Sequence, residues 1–149
     1  MKKILIASII TLAATAVSAL DLGVTAGRDY AGTNHNTFGV SVGRQSGKFG
    51  VALGLDRQYV GRTDQNKYTL IGSYDAASVG SVTFAANAGV AYLDNQRGSD
   101  GSAVIVGVGA TMPITKKVAA TVDFSRQYGQ TRVQASNGNT AAAGIKYSF

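Results

Sequence analysis

Apolar residues recur at every second position from Leu20 onward, in eight segments of about ten residues. The fold class this predicts is all-β, an eight-stranded antiparallel up-and-down transmembrane β-barrel. Two further observations point the same way. Short and long connectors alternate along the chain, as in a meander of hairpins. The face opposite the apolar one carries small, weakly polar residues instead of charges, which suits the crowded interior of a narrow barrel and not a surface in water.

The first residues are of another kind. Lys2 and Lys3 precede an apolar run from Ile4 to Val17, followed by Val17-Ser18-Ala19. A basic start, a run shorter than the ~20 residues of a spanning helix, and small residues at its end have the layout of a secretory signal peptide. The expected division is a signal peptide over 1–19, cleaved after Ala19, and a barrel domain over 20–149. The chain has no Cys, which excludes a lipid-modified N-terminus and a disulfide framework. Of its 14 basic residues Lys2 and Lys3 fall in the leader, leaving 12 against 8 acidic ones and a net charge of +4. All the acids are Asp. Charged residues make up 15% of the chain, below the ~25% of a soluble domain, and with no Glu and 19 Gly a helical domain is disfavoured.

In chain order, the apolar faces are Leu22, Val24 and Ala26; Phe38, Val40 and Val42; Phe49, Val51, Leu53 and Leu55; and Tyr68, Leu70 and Tyr74. Then come Val82, Phe84, Ala86, Ala88, Val90 and Tyr92, and after them Val104, Val106, Val108, Ala110 and Met112. Val118, Ala120, Val122 and Phe124 form the seventh face, and Ala141, Ala143, Ile145, Tyr147 and Phe149 the eighth. Tight turns are expected at 45–48, 75–80 and 113–116, the last holding the one Pro, where a missing N–H does no harm. Longer polar loops are expected at 31–36, 60–66, 94–101 and 129–139. Arg57-Gln58-Tyr59 and Arg126-Gln127-Tyr128 both close an upward strand, an echo of a hairpin repeat.

A soluble barrel would show the same alternation with its apolar face inside. Its outer face would then be Asp21, Gly23, Thr25, Gly27, Gly39, Ser41, Gly43, Gly50, Ala52, Gly54 and Asp56, with Thr83, Asn87, Gly107, Gly109, Thr121, Asp123 and Lys146 later. That is too poor in charge for a wet surface, so the apolar face is assigned to lipid. The aromatic residues fall into two belts. Tyr30, Phe38, Tyr59, Tyr68, Tyr92 and Tyr128 lie at the loop end, and Phe49, Tyr74, Phe84, Tyr147 and Phe149 at the turn end. Interfaces between lipid and water are where such rings are most stable.

The last eight residues, Ala142-Ala143-Gly144-Ile145-Lys146-Tyr147-Ser148-Phe149, carry a resemblance. Gly144, Tyr147 and Phe149 occupy the three defined places of the C-terminal signal of bacterial outer-membrane β-barrels, and Ala142 departs from it where a polar residue is usual. With its eight segments, the chain from Leu20 to Phe149 resembles the small eight-stranded outer-membrane proteins of Gram-negative cells, the OmpA transmembrane domain and OmpX type. The likeness is one of architecture. It implies the cell outer membrane as location, both termini on the periplasmic side, and insertion by the barrel assembly machinery. It implies no shared activity.

Some small outer-membrane barrels are lipid A acylases, deacylases or phospholipases, built on Ser or His with an acidic or amide partner. Here the one His, His35, falls in an expected loop, with Asp94, Ser99 and Ser102 in another, and a His-Ser-Glu set is impossible without Glu. No enzyme is expected, and no cofactor. One His, no Cys and scattered Asp make no metal site. The stretch from Gly43 to Lys48 has the wrong spacing for a phosphate loop, and Phe49 stands where Ser or Thr is needed.

Arginine is more informative. Arg28, Arg57, Arg62, Arg97, Arg126 and Arg132 map to the loop side, Arg44 alone to the other. Lys48, Lys116 and Lys117, three of the four lysines placed outside the lumen, fall at the turns. Arg28, Arg57 and Arg126 share the parity of the lipid-facing residues and so project at the upper belt, where lipid A phosphates lie and a planar guanidinium fork suits phosphate. Arg28, Arg57 and Arg126, with Arg97, are the expected lipopolysaccharide ligands. Asp21 and Lys146, on the strands that meet where the barrel closes, are an expected lumen ion pair, with Asp56 and Asp123 deeper.

The expected role is structural: a monomer that contacts outer-membrane lipids and lipopolysaccharide and supports membrane integrity. The rivals are a narrow passive porin-like channel, which Leu93 and Ile105 on the inner parity would constrict, and a surface adhesin acting through its loops. Nucleic-acid binding is not expected, because the positive charge is spread around a rim and the aromatics are committed to belts.

Overall fold

The alternating segments form eight strands: β1 (Leu20–Asp29), β2 (His35–Ser46), β3 (Phe49–Val60), β4 (Thr63–Val79), β5 (Val82–Asn95), β6 (Gly101–Pro113), β7 (Val118–Gly129) and β8 (Gly138–Ser148). The computed structural model describes residues 20–30, 35–60, 63–95, 100–129 and 137–149, with the backbone alone at His35, Val60, Thr63, Asp64 and Asn95. The expected leader lies outside them. Each strand pairs antiparallel with its sequence neighbours, and β1 pairs with β8, so that the sheet closes into a barrel. Closure runs from Asp21↔Ser148 to Asp29↔Thr140 and ends where the amide of Phe149 donates to the carbonyl of Leu20 at 3.1 Å.

At the turn end, two hairpins turn on two residues each. Ser46 pairs with Phe49 around Gly47, whose φ is 59°, and Val79 with Val82 around Gly80, whose φ is 61°. Only Gly takes that left-handed conformation without steric cost. The third turn, between Pro113 and Val118, is held by Thr115, whose Oγ1 accepts the amides of Lys117 at 3.2 Å and Val118 at 3.0 Å.

The alternation sorts the faces as expected from parity. Val24, Val40, Val108, Val122 and Ile145 are exposed to the surroundings of the barrel, which is stable only if those surroundings are hydrocarbon. Phe49 and Tyr74 pack at 5.0 Å between ring centroids at the turn end, as do Tyr147 and Phe149 at 4.9 Å, and Tyr68 and Tyr92 at 6.4 Å toward the loop end. Inside, small residues make room for charge: a Cβ built on Gly39 would collide with the Asp56 carboxylate, and one on Gly109 with that of Asp123.

β4 departs from expectation at both ends. Residues 60–66 were expected as a loop and 75–80 as a turn, yet β4 is 17 residues long and pairs with β3 up to Val60↔Thr63. At its lower end the register with β5 shifts between Asp75 and Ala77, a bulge that inserts one residue and hides the alternation. At its upper end Gln65, Asn66 and Lys67 are polar on both faces, so the period-two signal disappears while the backbone ladder continues.

Candidate functional site

Two regions of the barrel carry chemistry: the lumen and the outward rim at the loop end. In the lumen, Lys146 on β8 and Asp21 on β1 stand 3.5 Å apart across the closing seam. Ser148 Oγ donates to the other Asp21 oxygen. A second pair was missed in the sequence. Lys67, grouped there with the lysines outside the lumen, points inward and is buried, 3.5 Å from Asp56 on the facing strand. The inward parity of Gln65 and Lys67 was the available signal, masked by a loop expected up to residue 66. Asn87 Nδ2 donates to Asp123 at 3.2 Å, and Gln45 Nε2 to Asp75 at 3.1 Å. Thus four lumen carboxylates each meet a cation or an amide, as buried charge requires.

The lumen is asymmetric along its length. Its turn-end part is a cavity of about 440 Å³ whose lining includes Asp21, Ser73, Asn87, Thr121, Asp123 and Lys146. At the loop end every strand contributes a buried inward residue: Asp29 from β1, Thr37 from β2, Gln58 from β3, Gln65 and Lys67 from β4, Leu93 from β5, Ile105 from β6, Gln127 from β7 and Thr140 from β8. These side chains crowd the loop end, and Thr37, Lys67, Ile105 and Thr140 among them also line the cavity. Ala91, Leu93, Ala103 and Ile105 make an apolar wedge on the β5–β6 side, and the remainder is polar. Gln58 Nε2 donates to Asp29 Oδ2 at 3.1 Å. Gln58 Oε1 and Gln65 Nε2, an acceptor and a donor on cross-strand neighbours, are buried without a hydrogen-bond partner.

On the outside, Arg28, Arg57 and Arg126 project at the upper belt, all three exposed. The Arg57 guanidinium lies 5.8 Å from the ring centroid of Tyr59 and that of Arg126 5.2 Å from Tyr128, distances at which cation–π attraction holds an arginine against its neighbour. The hairpin echo has a third copy, Arg28-Asp29-Tyr30, concealed because Asp replaces Gln. In each copy Arg and Tyr face out while the residue between them enters the plug, so rim and plug are built by the same tripeptides. Arg97 lies outside the described residues, as do Arg62 and Arg132. Of the terminal residues, Gly144 faces the lumen near Thr121, while Tyr147 and Phe149 face out, with the Lys117 ammonium 5.9 Å from the Tyr147 ring. His35 opens β2 with its side chain outside the described residues. Among those described, no group of three His, Cys, Asp or Glu could hold a metal ion.

The Lys67–Asp56 pair yields a prediction. Asp56→Asn leaves a buried ammonium uncompensated and is expected to cost about 3 kcal/mol, and adding Lys67→Met is expected to recover most of it. Reversible urea unfolding in lipid vesicles reads both. A loss below about 0.5 kcal/mol for the single variant, the level of an exposed pair, would mean that the pair is hydrated and structurally idle.

No protein-family model matches the chain, and no curated protein matches it in sequence. Solved structures do match in fold. Neisserial surface protein A superposes with a TM-score of 0.67 at 15% identity, over 88% of this chain and 96% of that one. A major outer membrane protein of Thermus thermophilus gives 0.63 at 14%, over 88% and 100%. Ail of Yersinia pestis, solved in a nanodisc and also in complex with the heparin analogue sucrose octasulfate, gives 0.57 at 12% for the nanodisc structure, over 89% and 99%. The chain therefore has the fold of the small eight-stranded outer-membrane β-barrels, the architecture of the OmpA transmembrane domain and OmpX type.

Proposed function

We propose that this protein is exported through a cleaved signal peptide to the outer membrane and acts there as a structural barrel. Its outward arginines Arg28, Arg57 and Arg126, with Arg97, would contact lipopolysaccharide phosphates and so tie the outer leaflet to a rigid body. The observation that carries this reading is the placement of three exposed guanidiniums at the height of the upper aromatic belt, two of them stacked beside tyrosines. An arginine that faces hydrocarbon on one side and headgroups on the other is costly unless an anion meets it. In this account β8, with Gly144, Tyr147 and Phe149, is the strand handed to the barrel assembly machinery, and no catalysis is assigned.

The 440 Å³ turn-end cavity favours a second reading, a narrow passive pore. The plug weighs against it, since buried side chains from all eight strands crowd the loop end.

Replacing Arg28, Arg57 and Arg126 by Gln is expected to lower lipopolysaccharide retention at least tenfold, given charge-assisted bonds worth roughly 1.5 kcal/mol or more each. Wild-type retention should also weaken as salt rises. Unchanged retention in a folded, heat-modifiable variant would sink the arginine reading. In planar bilayers the wild-type barrel should be silent, and the Gln58→Ala/Leu93→Ala/Ile105→Ala variant should conduct. Steady steps from the wild type would promote the pore instead.

A further inference from the structure

The three outward arginines are not equivalent. β7, β8 and β1 are adjacent, and their registers place Arg126 opposite Asn139 and Arg28 opposite Ala141, so the two arginines flank one strand, β8. With strands about 4.8 Å apart and residues about 3.4 Å apart along each, their Cα atoms lie about 12 Å from each other, close enough for two long guanidinium arms to meet on one phosphate. Arg57 on β3 stands in the same relation to Arg28 across β2, but there the exposed ring of Phe38 lies beside Arg57 on the intervening strand, where β8 has Ala141, and the row of Arg57 continues through Asn66 to Asp94. Asp100, which accepts the Tyr92 hydroxyl at 2.7 Å, also lies on that side. On β7, β8 and β1 every described Asp instead faces inward: Asp21, Asp29 and Asp123. The outer face there carries two positive charges and no negative one.

The surface beneath the two arginines is low. Phe124, Ala141 and Arg28 form one cross-strand row, and Val122, Ala143 and Ala26 the next, which Phe38 on β2 extends. Ala26, Ala141 and Ala143 therefore floor a shallow trough between the exposed rings of Phe124 and Phe38. The trough begins at the arginines and descends along the wall. An occupant must be anionic at the height of the belt and apolar below it.

Building on the reading of the outward arginines as phosphate ligands, we infer that the β7–β8–β1 face is a discrete site for one lipid A molecule, its phosphate between Arg28 and Arg126 and an acyl chain over Ala141 and Ala143. Arg57 contributes only a rim charge. Charge complementarity selects a phosphorylated lipid, and the trough selects a lipid over free phosphate.

The test is lipid counting by native mass spectrometry of the folded protein in detergent micelles, titrated with lipid A, with dephosphorylated lipid A, and with lipid A in competition with inorganic phosphate. The expected result is one tight lipid A per barrel. Arg28→Gln/Arg126→Gln should weaken it about tenfold or more, as should removal of the phosphates, while Arg57→Gln changes it less than about twofold. Ala141→Phe/Ala143→Phe, outward and neutral, should weaken it with both arginines intact, and millimolar phosphate should not displace it. If Arg57→Gln weakens binding as much as the double variant, the discrete site fails and a ring of independent arginines stands. If none of the arginine variants matters, the arginine reading falls with it. Unchanged binding by the Phe variant, or displacement by phosphate, would remove the acyl-chain seat and overturn the site.

Discussion

A strand in hydrocarbon has no water to bond, so each of its backbone N–H and C=O groups must find a partner on a neighbouring strand. An open sheet fails that requirement at two edges. In this protein the seam between β1 and β8, from Asp21↔Ser148 to Asp29↔Thr140, removes both edges at once. The other features follow. A closed sheet has an inside and an outside, alternation assigns every residue to one of them, and the lipid outside imposes no penalty on Val, Leu, Ile and Phe there. The aromatic belts then mark where hydrocarbon ends.

Eight strands enclose little space, and the interior is composed accordingly. Two of the lumen carboxylates sit where a glycine on the neighbouring strand yields room, as Gly39 does for Asp56 and Gly109 for Asp123, and each has a partner at hand. The two ends are then filled differently. The loop end combines an apolar wedge with a layer of amides, Asp29 and Thr140, while the turn end keeps a cavity among paired charges. Because Arg-x-Tyr tripeptides on β1, β3 and β7 build rim and plug together, the residues that face lipid headgroups are rigidly coupled to the most buried part of the molecule. That coupling favours a fixed surface over a gate.

Much of this was legible in the residues because a period of two admits only two assignments, and the poverty of charge on the small-residue face decides between them. Strand number, closure of first strand on last, the belts and the outward placing of Arg28, Arg57 and Arg126 all follow from parity. The proximity of Asp21 and Lys146 follows from closure. Parity becomes unreadable where the wall rises above the membrane, since water on both sides permits polar residues on both faces. That is why Gln65 looked like loop, Lys67 just beyond it was placed outside the lumen, and the Lys67–Asp56 pair went unseen. A bulge erases the pattern at Asp75 for a different reason, by changing the phase within one strand. The pairing of Arg28 with Arg126 across β8 required the register, which depends on turn lengths and is not encoded in any one strand.

Every one of these features depends on which face meets lipid, and one measurement addresses it directly. Methyl-resolved NMR of the protein in lipid nanodiscs would be recorded with a paramagnetic group on the acyl chains and again with a water-soluble one. Leu22, Val24, Val108, Val122 and Ile145 should be broadened by the acyl-chain probe, while Leu93 and Ile105 escape both. Broadening of the first set by the water-soluble probe, with none from the acyl chains, would describe a barrel standing in water and contradict the account.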